Sequence, residues 1–381
     1  MNSRERVKLA FNHQEPDRVP IDLGSTIVSS ITSMAYQRVR DFLGLPKEEM
    51  KIIDHIQGLP YINEDLLSIF KIDFRMIQVE YMTVQEQSFS EEKGYHYFID
   101  RWGAKLRKPK EKGLYFDWVE FPILDEESLK KYKWPEPDRI ETLINLKQVA
   151  EKLRRETDFA LVGSSIFGGG IAEQPGRIMG LENFFMNLAL NKKFINNIME
   201  SILDIYIENT KRYLDNLGEY LDVFVYWDDV GSQNSLLFSP DDYRGLIKPK
   251  QRRLFDVIKS RTDAKLFYHS CGAIKELIPD LIEIGVDILN PVQVSSPGMD
   301  TKELKKEFGR DIVFWGGGCD TQNILPFGSP EDVREEVKRR ISNLAPGGGF
   351  VFNAVHNIQA DVPPENVASM YETALEFGKY K

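Results

Sequence analysis

Residues 264–292 read AKLFYHSCGAIKELIPDLIEIGVDILNPV and hold a strand, a helix and a second strand in immediate succession. The outer runs, AKLFYHS and VDILNPV, are short and rich in aromatic or β-branched residues, whereas IKELIPDLIEIG between them has apolar residues at helical spacing. Two buried strands joined by a crossover helix are typical of a parallel sheet. This stretch therefore predicts one βα unit of an α/β fold.

The same pattern recurs along the whole chain. The predicted strands are VPIDL (19–23), DFRMIQV (73–79), FALVGSS (159–165), DVFVYWD (222–228), AKLFYHS (264–270), VDILNPV (286–292), DIVFWGG (311–317) and GFVFNAV (349–355). Amphipathic patterns separate them, such as the one after Ser329, a predicted N-cap followed by Pro330 at the first helical position. Eight such units predict a (β/α)8 TIM barrel, and an open doubly wound sheet is the alternative.

One interval departs from this pattern. Residues 80–125 alternate aromatic and polar residues between turn glycines, which is typical of antiparallel strands. We therefore expect a small β-rich insertion after the second barrel strand. The whole chain, residues 1–381, is expected to form a single barrel domain that contains this insertion.

Composition limits the classes of function. The net charge of -10 over 381 residues gives no general attraction to nucleic acid. No apolar run reaches the roughly 20 residues of a membrane span, and the N-terminal residues lack a signal-peptide core, so we expect a cytoplasmic protein. Two cysteines cannot form a disulfide framework, and in a reducing compartment they remain thiols or metal ligands.

Three residues form a candidate metal site. His269 and Cys271 are two apart at a predicted strand end, so their side chains point to the same side. Cys319 follows VFWGGG at the equivalent end of another strand, and the carboxyl ends of barrel strands share one face. One imidazole and two thiolates favour zinc with an open fourth position, as in catalytic sites. The alternative is a hydrogen-bonded histidine with two buried thiols.

Further motifs resemble the uroporphyrinogen decarboxylase superfamily. They are RERVKLAFNHQEPDRVP at the start, DRWGAKLR in the insertion, HSCG at 269–272, GGGCDTQNILPFGSPEDVREEV at 316–337 and HNIQADVPPENVASM at 356–370. The resemblance extends over nearly the whole chain. It implies a barrel with its pocket at the C-terminal face, without fixing the reaction.

Two branches of that superfamily are relevant. The true decarboxylases carry an N-terminal arginine-rich segment that pairs with the carboxylates of the tetrapyrrole, whereas here IDLGSTIVSSITSMAY follows Pro20 with no arginine before Arg38. The zinc-dependent corrinoid methyltransferases carry H-x-C and a distant third cysteine ligand, which His269, Cys271 and Cys319 match. This branch implies methyl transfer, and a metal-independent decarboxylase is the alternative.

Other polar residues at predicted strand ends are candidate site residues. Asp228 and Asp229 end the fourth strand, where one carboxylate is expected to complete the zinc site or orient its histidine; the alternative is stabilisation of the loop. His356 follows the eighth strand as a candidate proton carrier or a hydrogen-bonded loop residue. Gln322 is a candidate substrate contact or part of a turn, and Glu173 is a weaker candidate ligand.

The expected cofactors and partners follow from the resemblance. Zinc is the expected metal, and a corrinoid is the expected co-substrate, bound to a partner protein or free, because no corrinoid-binding domain is evident in the chain. A small-molecule methyl donor or acceptor is the other partner, and a homodimer is possible. Transfer from the methyl-corrinoid to a zinc-bound thiol is the preferred direction, and the reverse remains open. His13, His55 and His96 are interpreted as structural.

Overall fold

The computed structural model describes residues 1–77, 89–111 and 113–380. The helices of this part are α1 Ser3–Phe11, α2 Ser33–Phe42, α3 Glu64–Ile69, α4 Glu126–Lys131, α5 Ile140–Glu156, α6 Gln174–Met179, α7 Leu181–Leu190, α8 Lys192–Leu217, α9 Pro240–Asp242, α10 Lys248–Lys259, α11 Ile278–Glu283, α12 Thr301–Phe308, α13 Ile324–Phe327, α14 Pro330–Leu344 and α15 Pro364–Phe377. The strands are β1 Ile52–Asp54, β2 Leu59–Pro60, β3 Phe74–Ile77, β4 Ser90–Glu92, β5 Tyr95–Ile99, β6 Lys105–Pro109, β7 Asp117–Glu120, β8 Ala160–Gly163, β9 Val223–Trp227, β10 Lys265–His269, β11 Ile288–Asn290, β12 Val313–Trp315 and β13 Phe350–Val351.

A curled parallel sheet is the centre of the fold. Its order is β13-β12-β11-β10-β9-β8-β3, and all neighbouring strands run parallel. The chain around Ile21 bridges its two edges: Ile21 pairs in parallel with Phe352, and its carbonyl accepts a hydrogen bond of 3.0 Å from the amide of Asp73. The TIM-barrel prediction is confirmed. The open doubly wound alternative is wrong.

The first predicted strand, 19–23, is the least regular of the eight. Among the described residues it forms an isolated bridge instead of a ladder. Pro20 has no amide hydrogen, so it can only accept, and its carbonyl takes a hydrogen bond of 2.8 Å from Phe352. The other seven predictions each contain an observed strand, although residues 78 and 79 of the second lie outside the described residues.

Alternating side chains divide the core into two layers. Phe267 and Trp315 point into the barrel, where their ring centroids are 5.2 Å apart, while Leu266 and Tyr268 face the helices. Helix α1 covers the amino ends of the strands, because Ala10 accepts a hydrogen bond from the residue just before β13. The carboxyl ends of the strands are therefore left for the functional site.

The insertion is a four-stranded antiparallel sheet in the order β4-β5-β6-β7. It has a small core of its own, in which the rings of Phe98 and Phe116 meet edge to face at 4.9 Å. The predicted β insertion is confirmed for its described residues. Residues 80–88 and 112 of the predicted interval lie outside them.

Helix α14 begins as the sequence predicts. Ser329 is its N-cap and forms a capping box with Asp332, and Pro330 occupies the first turn. Within the described ranges, no helix combines the length and the apolar character that crossing a membrane requires.

A carboxylate is buried inside the barrel at Asp22. Its Oδ2 accepts a hydrogen bond of 3.0 Å from Trp315 Nε1, and its Oδ1 accepts one of 3.2 Å from the amide of Ser25. Burial raises the pKa of Asp22 to about 6 in spite of these hydrogen bonds. The protonated form is therefore favoured in the folded protein over a wider pH range than in the unfolded chain.

Replacing Asp22 with Asn should flatten the pH dependence of stability between pH 4 and pH 6. The folded protein binds a proton at Asp22 that the unfolded chain releases, so stability falls as pH rises through this window, by about 3 kcal/mol. Urea unfolding at several pH values measures the slope. The exposed Asp204→Asn should keep the wild-type slope. An unchanged slope in Asp22→Asn would contradict the assignment.

Candidate metal centre

Three ligand-type side chains meet at the carboxyl end of the barrel. His269 ends β10, Cys271 follows two residues later, and His356 follows β13. One ligand atom from each lies within 4.8 Å of the other two. His269 Nε2 and Cys271 Sγ are 3.6 Å apart, and the two imidazole centroids are 5.4 Å apart. We call these three residues the metal group.

A neighbouring amide fixes the orientation of His269. Asn290 Nδ2 donates a hydrogen bond of 2.9 Å to the carbonyl of Trp315, so its Oδ1 is the atom that accepts from His269 Nδ1, at 2.5 Å. The proton of the neutral ring is thereby placed on Nδ1. The lone pair of Nε2 remains available to a metal, as is usual for a metal-binding histidine whose other nitrogen is hydrogen-bonded.

The protonation states of the metal group suit ligation. Burial lowers the pKa of His269 to about 4 and that of His356 to about 3, so both rings are neutral at pH 7. Burial, together with the nearby Asp229 and Glu173, raises the pKa of the Cys271 thiol well above its usual range. A metal ion would be required to remove that proton, which couples metal binding to thiolate formation.

The geometry fits zinc. Ligands about 2.3 Å (sulfur) and 2.0 Å (nitrogen) from a tetrahedral zinc lie roughly 3.5 Å from each other. The observed separation of His269 Nε2 and Cys271 Sγ, 3.6 Å, is close to this value before any adjustment. Three protein ligands would leave one coordination position for another molecule.

Cys319, which the sequence analysis expects in the zinc site, lies outside the metal group in the part of the chain that the structure describes. Its side chain is fully buried in the core between the barrel and the helices, where burial, and secondarily the charge of Glu336 on α14, raises the pKa of its thiol well above the usual range. The reason lies in the preceding turn: Gly316 and Gly317 have φ values of 106° and 68°. These left-handed residues interrupt the strand alternation, so Cys319 emerges on the outer side. His356 occupies the third place in the group instead.

Asp228 is an anchor beneath the site. Its carboxylate is fully buried and accepts hydrogen bonds from Tyr226, at 2.7 Å, and Gln251, at 2.8 Å. It also accepts from the amides of Ala172 and Glu173, both at 2.9 Å. Burial raises its pKa to about 7. The expected alternative, stabilisation of a loop, describes Asp228 better than ligation or substrate contact.

The loop that Asp228 holds must approach very closely. A Cβ at Gly170 would lie 2.3 Å from the side chain of Asp228, so only glycine fits there. The chain can then turn directly into α6.

Asp229 is the carboxylate beside the metal group. Its Oδ1 accepts a hydrogen bond of 2.7 Å from the amide of Cys271 and lies 3.9 Å from His269 Nε2. Burial, and secondarily the charge of Glu173, raises its pKa to about 7. Of the two predicted aspartates, Asp229 is the one placed to serve as a fourth ligand or proton acceptor.

Gln322 lies away from the metal group. Its side chain donates to Gln233 Oε1 at 3.0 Å, and the same oxygen accepts from Gln293 at 2.6 Å. Gln293 in turn accepts from the amide of Gly272, at 2.7 Å, immediately after Cys271. Gln322 therefore belongs to a network of amide side chains that stabilises the loop carrying Cys271. It does not line the cavity described next.

A cavity of about 480 Å³ opens above the metal group. Asp229, His269 and His356 line one part of it, and the β insertion supplies the facing wall. The aromatic lining residues are Phe98, Trp102, Tyr115, Phe116, Trp118, Phe167 and Trp227. The volume is within the range of about 300–1,000 Å³ that is usual for small-molecule sites.

Sequence reasoning missed three residues of this wall. His55, interpreted as structural, lines the cavity, as do Arg177 of α6 and Trp118 of the insertion. Arg177 follows Glu173 by one helical turn, and that spacing is the signal that could have identified the pair. No local pattern indicates that β7 lies over the barrel.

Comparison with known families and structures agrees with this architecture. The family model of uroporphyrinogen decarboxylase (URO-D) matches residues 99–377. A methyltransferase from Methanosarcina mazei has a similar structure, with a TM-score of 0.66, 16% identity and coverage of 99% of both chains. At this identity the similarity concerns the fold alone.

Two curated relatives bear the name uroporphyrinogen decarboxylase. The protein from Vibrio campbellii is 25% identical over 300 residues, which are 74% of this chain and 76% of the relative. The protein from Synechocystis sp. is 26% identical over 176 residues, which are 43% of this chain and 47% of the relative, so that match spans about half its length. Because the family match covers well over half of the chain, this protein belongs to the uroporphyrinogen decarboxylase family.

Proposed function

We propose that this protein is a zinc-dependent methyltransferase that moves a methyl group between a corrinoid and a small acceptor or donor. The observation that carries the proposal is the metal group: His269, Cys271 and His356 come together, and both histidines line an open cavity. Three protein ligands with a fourth position open to substrate are typical of catalytic zinc sites, whereas structural sites usually have four.

Zinc at this position would supply a Lewis acid that lowers the pKa of a bound thiol or polarises a methylated heteroatom. The protein's own residues prepare the site for this chemistry. Asn290 holds His269 in one tautomer, and the hydrogen bond from the Cys271 amide to Asp229 fixes the loop. The carboxylate of Asp229, which lines the cavity with Oδ1 3.9 Å from His269 Nε2, would take a proton from an incoming thiol or return one to a leaving group.

The direction of transfer has two candidate forms. In one, a thiol accepts the methyl group from a methyl-corrinoid, as the sequence analysis prefers. In the other, a methylated oxygen, nitrogen or sulfur compound donates it to a reduced corrinoid. Both need the corrinoid to reach the cavity, so we propose that it arrives on a partner protein or as free cofactor at the carboxyl face of the barrel.

A metal-independent decarboxylase is the second candidate, and the names of the curated relatives favour it. Binding a polycarboxylate tetrapyrrole calls for several free guanidinium groups. Of the described residues, only two arginines line the cavity: Arg101 pairs with Asp138, and Arg177 shares one edge with Glu173, which leaves fewer free guanidinium groups than a polycarboxylate needs. This charge arrangement supports methyl transfer over decarboxylation.

Zinc content distinguishes the metal group from the three ligands expected from sequence, in which Cys319 takes the place of His356. The wild type, purified without a metal-affinity tag, should contain about one zinc per chain by elemental analysis. Cys271→Ser and His356→Ala should lose most of it, and Cys319→Ser should retain it. Loss of zinc in Cys319→Ser with retention in His356→Ala would restore Cys319 as the third ligand and contradict the arrangement described above.

Replacing Asn290 with Ala should weaken zinc binding about 10- to 100-fold, because His269 loses the acceptor that fixes its tautomer. Competition with a chromophoric chelator measures the affinity. Asn290→Asp keeps an acceptor at the same place and is the matched control, expected to bind zinc more tightly than the alanine variant. Equal affinity in wild type and Asn290→Ala would exclude this orienting role.

Methyl transfer can be followed by the absorbance of methylcobalamin in the presence of a small thiol, and in reverse with reduced cobalamin and a methylated donor. The zinc-loaded wild type should react at least about a hundredfold faster than Cys271→Ser in one of the two directions. Metal-free protein that releases carbon dioxide from uroporphyrinogen, with no methyl transfer in either direction, would favour the decarboxylase instead.

A further inference from the structure

Arg177 joins the barrel to the insertion inside the cavity. Its guanidinium carbon lies 4.9 Å from the centroid of the Trp118 ring, and both side chains line the cavity. Nε donates to Glu173 Oε1 at 2.9 Å, and Nη2 donates to the same oxygen. The guanidinium is thus held by stacking on one side and by an ion pair along one edge.

The other edge of this guanidinium remains available. Arginine has five N–H donors, and Glu173 takes one from Nε and one from Nη2. Within residues 1–77, 89–111 and 113–380, Nη1 has no hydrogen-bond acceptor. Arg177 lines the cavity and its side chain is one-quarter exposed (24%), so its guanidinium is within reach of a bound molecule. A guanidinium edge with two parallel N–H groups matches a carboxylate.

Two of the acids on the cavity wall, Asp54 and Asp100, do not occupy that edge. Asp54 accepts hydrogen bonds from the amides of Ile56 and Gln57, and Asp100 accepts from the amides of Trp102 and Ala104. These carboxylates cap turns of the chain. They are therefore committed to backbone groups and do not form a site for a cation.

The second arginine of the wall differs from Arg177. Arg101 donates to Asp138 at 2.7 Å, and its guanidinium carbon lies 3.8 Å from the centre of the Phe167 ring. Asp138 is buried and also accepts from Asn209, and Arg101 Nη2 donates to the carbonyl of Glu136, so both Nη groups of Arg101 are already engaged. Arg177 is thus the better-placed cation for a ligand.

The apolar part of the wall suits a flat body. Phe98 and Phe116 form one part of it, and Trp118, which carries Arg177 on its face, continues the same surface. Stacking on aromatic side chains favours planar rings over flexible aliphatic chains. The cavity volume of about 480 Å³ accommodates a ligand of one substituted ring.

We propose that the cavity binds aromatic anions: a single ring bearing a carboxylate or comparable anionic group, whose negative end pairs with the open edge of Arg177. The same cavity is lined by Asp229, His269 and His356, so the opposite end of the ring shares it with the metal group. The inference rests on the proposed function only for which end of the ligand reacts; the anion site itself does not require it.

The first test compares two probes on the wild-type protein by titration calorimetry. 4-Methoxybenzoate and 4-methoxybenzamide have nearly the same size and shape and differ in charge. The benzoate should bind at least about tenfold more tightly, because a charge-assisted pair with Arg177 replaces a neutral contact. Equal affinities, or tighter binding of the amide or of 4-methoxybenzylamine, would overturn the proposal.

Two arginine variants assign the charge preference to a residue. Arg177→Met should lose the preference for the benzoate. Arg107→Met is the matched control, because Arg107 also stacks at 4.9 Å, on Tyr95, but is exposed on β6 and does not line the cavity. It should keep the wild-type preference. A preference that survives in Arg177→Met would contradict the assignment.

A third variant keeps the proposal testable if Arg177→Met does not fold. Glu173→Gln keeps the side-chain length and removes the competing carboxylate, so it should bind the benzoate at least as tightly as wild type does; weaker binding would count against Arg177 as the site. The same benzoate and benzamide titrations on Cys271→Ser separate this inference from the proposed function, because the preference for the benzoate should persist in that variant. Anion preference without methyl transfer in the wild type would leave the Arg177 site standing and reject only the chemistry.

Discussion

The buried carboxylate of Asp228 is the interaction on which the site depends. A charge removed from water is costly unless hydrogen bonds surround it, and this one receives them from a tyrosine, a glutamine and two backbone amides. The amides belong to Ala172 and Glu173, so the same contacts fix the start of α6 and the direction of Arg177. The backbone amide of Asp228 also donates a hydrogen bond to the carbonyl of His269, which connects Asp228 to β10, the strand that ends at His269.

The barrel could be predicted from sequence because its determinants are local. Each strand is a short apolar run followed by a helical period, and parallel pairing with crossover helices leaves few topologies. That His269 and Cys271 lie together could be predicted in the same way, because residues two apart at a strand end point to the same side. The observed distance of 3.6 Å between their ligand atoms follows from that rule.

The third member of the metal group depends on geometry that strand alternation does not describe. Two successive left-handed glycines, Gly316 and Gly317, turn Cys319 outward, and only their φ values reveal it. His356 was recognised as a polar residue at a strand end, yet its role depends on distance across the barrel. The residues of the cavity wall could not be predicted from sequence for a similar reason. Trp118 and Arg177 are far apart in the chain and come into contact only because of where the inserted sheet lies.

The inserted sheet has one further consequence. Strands β5 and β7 and the loops beside them supply one wall of the cavity but contribute no residue to the metal group. The residues that could hold a metal therefore all come from the barrel, whereas the wall that faces them is supplied by the insertion. Substitutions in the insertion can therefore reshape the cavity without touching His269, Cys271 or His356, which makes this region the starting point for altering which molecules the cavity accepts.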